Sequence, residues 1–146
     1  MSDPTNRYVL NFPEMDEQHR YLYELFDDIE PIARIGDASA LKKLLAEIEH
    51  YLLYHFSCEE HLMRMYNFPG FAVHQSDHEQ VGHRYVEFMD AYDAGIFNPT
   101  AAHSFLAGWL SEHSWISDAQ YVEWIQNCRD ELRASCKEKD DDYLIE

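Results

Sequence analysis

Histidines and carboxylates recur along this chain at a spacing typical of metal ligands. His55 and Glu59 are four positions apart, and so are His74 and His78. On an α-helix, such residues lie about 40° apart around the axis and one turn along it, so each pair can direct both side chains at one point. Imidazole and carboxylate without a thiolate suit iron, manganese or zinc. The two pairs therefore predict a metal site between helices.

Two further histidines also occupy positions that should face a protein core. His19 and His113 fall on stripes of apolar residues that repeat every three or four positions. A buried polar group costs free energy unless it is paired or binds a metal. Five such histidines and Glu59 are more donors than one ion needs, and they suit two ions bridged by carboxylates. Two divalent ions bring four positive charges, and two carboxylates with a hydroxide remove three, so a net charge of about +1 is buried.

Asp118 is a second candidate bridging carboxylate, but its spacing is unusual. It follows His113 by five positions, which on a straight α-helix places the two side chains about 140° apart. Spacing alone therefore leaves Asp118 equally open as a metal ligand or as a surface carboxylate. Ligation requires a local adjustment, such as a π-type turn or a helix end between Ser114 and Ser117.

The elements that must position these residues are helices. Pro31 should end or kink the first of them, and Asn98 followed by Pro99 is typical of an N-cap. No strand-type alternation competes, so we expect an all-α fold. Its architecture is predicted to be an antiparallel up-down-up-down four-helix bundle with an N-terminal arm and an extra C-terminal helical segment. Helical periodicity is present in four segments and in a fifth run that continues or follows the last: 15–29, 41–66, 74–92, 98–116 and 121–136.

Composition sets the class of protein. The chain has 146 residues, the size of one domain, with a core expected over about 8–121 and an extension over about 122–146. A net charge of −17 argues against binding nucleic acid or an anionic membrane. Neither a secretory leader nor an apolar run of about 18 residues is visible, and three cysteines without CxxC spacing indicate reduced thiols. We therefore expect a cytoplasmic protein.

Taken together, four motifs resemble the hemerythrin family in order and separation. The resemblance covers roughly residues 8 to 121, and the combined pattern is far more specific than any single motif. The motifs are Met15-Asp16-Glu17-Gln18-His19, His55-x-x-x-Glu59-Glu60, His74-x-x-x-His78 and Trp109-Leu110-x-x-His113-x-x-x-x-Asp118.

This resemblance implies a non-haem di-iron centre that binds dioxygen reversibly. One iron would be held by His74, His78 and His113. The other would be held by His19 and His55, which leaves it an open coordination position. Glu59 and Asp118 would bridge the two ions together with an oxo or hydroxo ion, so the resemblance favours Asp118 as a ligand.

The resemblance also implies an oxygen pocket beside the centre. Leu110 matches a leucine of the family pocket, and Trp109 matches an aromatic residue beside it. One departure concerns the residue after His113, which is often isoleucine in the family and is Ser114 here. A smaller, polar side chain at this position is expected to admit water, so we predict faster autoxidation than in a Ser114→Ile variant.

Several functions are compatible with these residues. The resemblance favours a non-enzymatic protein for oxygen carriage, storage or delivery. An oxygen or redox sensor that signals to a protein partner through the C-terminal extension is the main alternative. A di-iron oxidase or peroxidase is disfavoured because ferritin-like sites use four glutamates and two histidines; nitric oxide binding stays open. Glu60 is open between a solvated surface position and a supporting role, and we expect surface positions for the other histidines, His50, His61, His83 and His103.

Overall fold

The computed structural model describes residues 9–143, with side chains as far as residue 139, and this part of the chain is helical without strands. The predictions for the arm at residues 1–8 and for the end of the extension lie outside the described residues. A five-residue π-helical turn, Ser114–Asp118, joins the last two helices. The helices are α1 (Pro13–Asp27), α2 (Ile29–Ile35), α3 (Ala38–Met65), α4 (Phe71–Asp93), α5 (Pro99–His113) and α6 (Ala119–Tyr143).

The first predicted helix is interrupted, as expected, although the break precedes the proline. Pro31 has no N–H to donate to the carbonyl of Asp27, and in a continuous helix its ring would clash with that carbonyl. The α1 helix accordingly ends at Asp27. The chain turns at Asp28 and resumes as α2, which carries Pro31 in its first turn.

Capping residues set the start of two bundle helices. Gly36 ends α2 in the left-handed conformation at φ 82°, which glycine adopts without strain. The Asp37 side chain then accepts a hydrogen bond from the N–H of Ala40 at 3.1 Å and starts α3. Asn98 caps α5 in the same way, through the N–H of Ala101 at 3.1 Å. The cap predicted at Asn98 is therefore confirmed.

Apolar side chains form two clusters, one on each side of a polar layer. Along α1, His19 lies between Met15 of the smaller cluster and Leu22 of the larger one, and Glu59 has the same place on α3. Burial of each large apolar side chain contributes about 1.5–3 kcal/mol. Packing of the two clusters therefore fixes the position along the bundle axis at which the polar side chains meet. The smaller cluster is formed by Phe12, Met15, Met63, Tyr121, Val122 and Ile125.

The four-helix bundle predicted from periodicity is confirmed. It is formed by α1, α3, α4 and α5, with α2 as a short continuation after the break and α6 as a continuation of α5 through the π-helical turn. The first turns of α6 bury Tyr121, Val122 and Ile125 against the bundle. Within residues 9–143, no helix combines the length and the apolar character needed to cross a bilayer.

Candidate metal centre

Seven predicted ligand residues come together in the polar layer. They arrive from α1, α3, α4, the end of α5 and the π-helical turn. None is more than 5% exposed, although all are polar and two are acidic. Their ligand atoms form two groups, each with all atoms within 4.8 Å of one another and with Glu59 common to both. The groups are Glu59, His74, His78 and His113, and His19, His55, Glu59 and Asp118.

Glu59 lies between the two groups of imidazoles. Its Oε1 is 2.8 Å from Nε2 of His55 and 3.5 Å from Nε2 of His19. Its Oε2 is 2.9 Å from Nε2 of His74 and 3.0 Å from Nε2 of His78. Each oxygen therefore faces a different group, which is the arrangement of a carboxylate that can bridge two ions.

Asp118 has the same kind of position on the other side of the layer. Its Oδ2 is 3.1 Å from Nε2 of His19. Its Oδ1 is 3.0 Å from Nε2 of His74 and 3.1 Å from Nε2 of His113. The π-helical turn adds about one residue to the α-helical turn, and this wider turn brings His113 and Asp118 to the same interior side. The local adjustment that ligation by Asp118 requires is therefore present.

Inward-facing atoms of the cluster leave hydrogen-bonding capacity unused. Nε2 of His19, His55 and His78, Oε1 of Glu59 and both carboxylate oxygens of Asp118 are buried and make no hydrogen bond, although they lie close together. Buried polar atoms in proteins are nearly always satisfied. A set of unsatisfied imidazole and carboxylate atoms around one point fits cations that these atoms would ligate. The residues present therefore fit a two-metal centre.

The electrostatics of the cluster are those of histidines held by carboxylates. Burial lowers the pKa of His19, but the carboxylates of Asp118 and Glu59 outweigh it and raise this pKa to about 9. For His74 and His113 too, burial lowers the pKa and the same two carboxylates outweigh it. They raise the pKa of His74 to about 9 and that of His113 to about 10. Burial alone would raise the pKa of Glu59 and Asp118, yet the surrounding imidazoles hold both below their usual ranges.

The outer nitrogens of three imidazoles face different partners. Nδ1 of His55 lies 2.7 Å from the amide oxygen of Gln18, and Nδ1 of His78 lies 3.4 Å from a carboxylate oxygen of Glu60. Nδ1 of His113 is 4.0 Å from Asp77. Such partners orient an imidazole and select the tautomer that presents Nε2 to a metal. The question left open for Glu60 is thereby answered, because it contacts a candidate ligand.

The residues expected to form the oxygen pocket lie directly beside His113. The Trp109 ring stacks on the His113 ring with centroids 4.5 Å apart and an angle of 15°. Leu110 is fully buried, and Ser114 is buried with a hydroxyl that makes no hydrogen bond. Their role toward a gas molecule stays a prediction.

Two aromatic neighbours of the cluster were missed in the sequence. Tyr121 is fully buried, its ring lies 5.3 Å from that of His74, and burial together with the charges of Glu59 and Asp118 raises its pKa. Its position three residues after Asp118 could have indicated it, because such residues share a helix face. Phe56 stacks on His78 at 4.0 Å; it follows a candidate ligand directly, and no spacing rule distinguishes it.

The four histidines outside the cluster do not contribute to it. His50, His61 and His83 are exposed, as expected. His103 is only partly exposed, because it lies 3.0 Å from Asp27 and 3.6 Å from Glu30 and links α5 to α1 and α2. The three cysteines are free, as predicted.

Fold and site together define a helical-bundle protein with a buried, histidine-rich, two-metal centre. The family model for the hemerythrin HHE cation binding domain matches residues 11–143. The chain therefore belongs to the hemerythrin family, and the resemblance predicted from four motifs is confirmed.

Individual relatives agree with this membership. A bacteriohemerythrin of Pseudomonas aeruginosa is 26% identical over 118 residues, which cover 81% of this chain and 77% of the relative. A hemerythrin-like protein of Naegleria fowleri is 31% identical over 108 residues, which cover 74% and 80%. A crystal structure of wild-type hemerythrin superposes with a TM-score of 0.74 over 83% of this chain and 94% of that chain. At 23% identity, this last likeness shows a shared fold.

Proposed function

We propose that this protein binds dioxygen reversibly at two iron ions and serves oxygen carriage, storage or delivery. The observation that carries the proposal is the position of Glu59, whose two carboxylate oxygens face different groups of buried imidazoles. In this assignment, His74, His78 and His113 would hold one ion, His19 and His55 would hold the other, and Glu59 and Asp118 would bridge them with an oxo or hydroxo ion. Two iron ions would bind dioxygen and supply the electrons that it takes up on binding and returns on release.

The protein's own contribution is orientation and exclusion of water. Gln18 and Glu60 hold the rings of His55 and His78 so that Nε2 faces inward. The two apolar clusters close the polar layer on both sides. We assign Trp109, Leu110 and Ser114 to the pocket for dioxygen, because they lie beside His113. No side chain need act as an acid or base, which supports a binding protein rather than an enzyme.

A visible spectrum with iron quantified on the same sample tests this proposal. The anaerobically reduced protein should be colourless, contain about two irons per chain and become coloured when oxygen is admitted. The colour should disappear again under vacuum. Colour that vacuum does not reverse contradicts reversible binding and favours a redox sensor or an oxidase, and absence of iron contradicts the metal assignment.

A sensor role is the second candidate, and one observation favours it. All residues from 130 to 139 of α6 are exposed, so this helix continues well past the part that packs on the bundle. We propose that the chain is one hemerythrin-like domain and that this end of α6 is where a protein partner would attach. Capture of a defined partner in one oxidation state alone would favour sensing over carriage.

The free cysteines support a cytoplasmic setting.

A further inference from the structure

A shallow apolar groove of about 120 Å³ lies between α3 and α4. Its lining includes Leu52, Leu53 and Phe56 of α3 together with Gly82 and Val86 of α4. Leu53 is 60% and Val86 54% exposed, whereas Phe56 is 6% exposed. The groove therefore opens to solvent at one side and reaches a buried aromatic ring at the other.

Phe56 connects this groove to the metal centre. Its ring stacks on His78 with centroids 4.0 Å apart and an angle of 11°, and it lies 5.9 Å from the ring of His55. Its edge contacts Trp109, with centroids 5.7 Å apart. One side chain thus borders the groove, an imidazole of each metal group and the expected pocket.

The chemistry of the groove suits a small apolar molecule. The hydroxyl of Tyr85, which also lines it, donates a hydrogen bond to the backbone carbonyl of Leu45. Glu49 is the one charged residue of the lining. Enclosed apolar cavities in proteins bind small apolar ligands such as xenon, and the buried end of this groove at Phe56 has the same apolar character. Dioxygen is small and apolar and is the ligand of the proposed function.

A second approach to the centre is lined differently. A cleft of about 240 Å³ reaches His113 and Trp109, and its lining combines the apolar Ile116 with the carboxylates of Asp77 and Glu112. Carboxylates hold water, so this cleft favours water and ions over an uncharged gas.

Gly82 keeps the groove open, although local packing does not demand a glycine. A Cβ at this position would meet no atom within 4 Å. A glycine inside a helix is less favourable than alanine at the same position. A larger side chain at position 82 would occupy the groove while strengthening the helix, so a blocking variant is expected to fold.

We propose that the groove between α3 and α4 is the route by which dioxygen reaches the centre, and that Phe56 is the side chain that moves to admit it. This inference rests on the proposed function. An access route affects the energy barrier that dioxygen crosses on entry and exit. It leaves the free energies of the bound and free states unchanged. Blocking it must therefore slow association and dissociation by the same factor.

The kinetic test compares Gly82→Leu with Gly108→Leu in the iron-loaded protein. Gly108 is an exposed glycine of α5 that also has no neighbour within 4 Å of a Cβ, so it is a matched control. In Gly82→Leu, stopped-flow association and dissociation rates should both fall about tenfold, with an unchanged Kd. Gly108→Leu should match the wild type. Unchanged rates in Gly82→Leu, or a change in Kd without parallel rate changes, overturn the route.

A second measurement does not require iron. In the zinc-loaded protein under dioxygen pressure, the paramagnetic gas should relax the methyl protons of Leu53 more strongly than those of Leu132 on α6. The two leucines are equally exposed, at 60% and 61%, so a difference reports binding in the groove. Equal relaxation overturns the proposal. If wild-type protein with iron binds no dioxygen reversibly, the proposed function fails, and this comparison alone decides whether the groove admits the gas.

Discussion

Loading of metal into the metal-free protein should release about two protons at pH 7, one from His19, whose pKa is raised to about 9, and one that His74 and His113 share across the 3.0 Å between their Nε2 atoms. Carboxylates raise the pKa values of His74 and His113 to about 9 and 10, but one of their two facing nitrogens must accept the hydrogen bond, so the pair holds one proton between these nitrogens. Metal binding requires the unprotonated Nε2. A bridging hydroxide formed from water would add one further proton to this release.

The assay is titration calorimetry with zinc in buffers of different ionisation enthalpy at one pH. The dependence of the observed heat on the buffer gives the number of protons released. That number should decrease as the pH approaches 9. In His19→Ala, the release should fall by about one proton, whereas His83→Ala, which alters an exposed histidine of α4, should leave it unchanged. Release of fewer than about one proton at pH 7 would refute the view that buried carboxylates hold these imidazoles in the charged form.

Three further expectations concern stability, the pocket and metal affinity. Metal-free protein should lose stability in urea as the pH rises from about 6.5 to about 9 or 10: the raised pKa values stabilise the fold fully below 6.5, and this contribution is lost by the pH at which the folded imidazoles lose their protons. A pH-independent midpoint over that range would contradict this sign. Ser114→Ile should slow autoxidation, measured as loss of the oxygenated spectrum over time, because it removes a buried hydroxyl without a hydrogen bond; equal decay in both proteins refutes the idea. Glu60→Gln should weaken metal binding about 10–100-fold in competition with a chelator, whereas Glu79→Gln, an exposed control on α4, should not.

Local pattern explains why most of the fold was predictable. Helices are held by hydrogen bonds between near neighbours, so periodicity and a cap such as Asn98 already mark them in the sequence. The pairs His55 with Glu59 and His74 with His78 follow from the same geometry. The position of the break at Asp28 follows from Pro31 once the affected carbonyl is counted four residues back.

Contacts between helices explain what could not be predicted. Asp118 faces the interior because the backbone widens into a π-helical turn, and five-residue spacing alone does not distinguish this from a surface carboxylate. The hydrogen bond from Nδ1 of His55 to the amide oxygen of Gln18 joins residues 37 positions apart. Phe56 acquires its place from packing against α4 and α5. Such positions depend on how helices pack, and one sequence carries no periodic signal for them.

Charge explains how this centre can form before metal arrives. In the metal-free protein, His19 and the proton shared by His74 and His113 contribute two positive charges, and Glu59 and Asp118 contribute two negative ones. Their sum is about zero, which differs by about one charge from the sum of +1 for two divalent ions with two carboxylates and a hydroxide. Exchange of protons for metal would therefore leave the buried charge nearly constant. Because the cost of burying charge is then similar in both forms, the helices that position the ligands can fold first, and metal ions would enter a site whose geometry is already set.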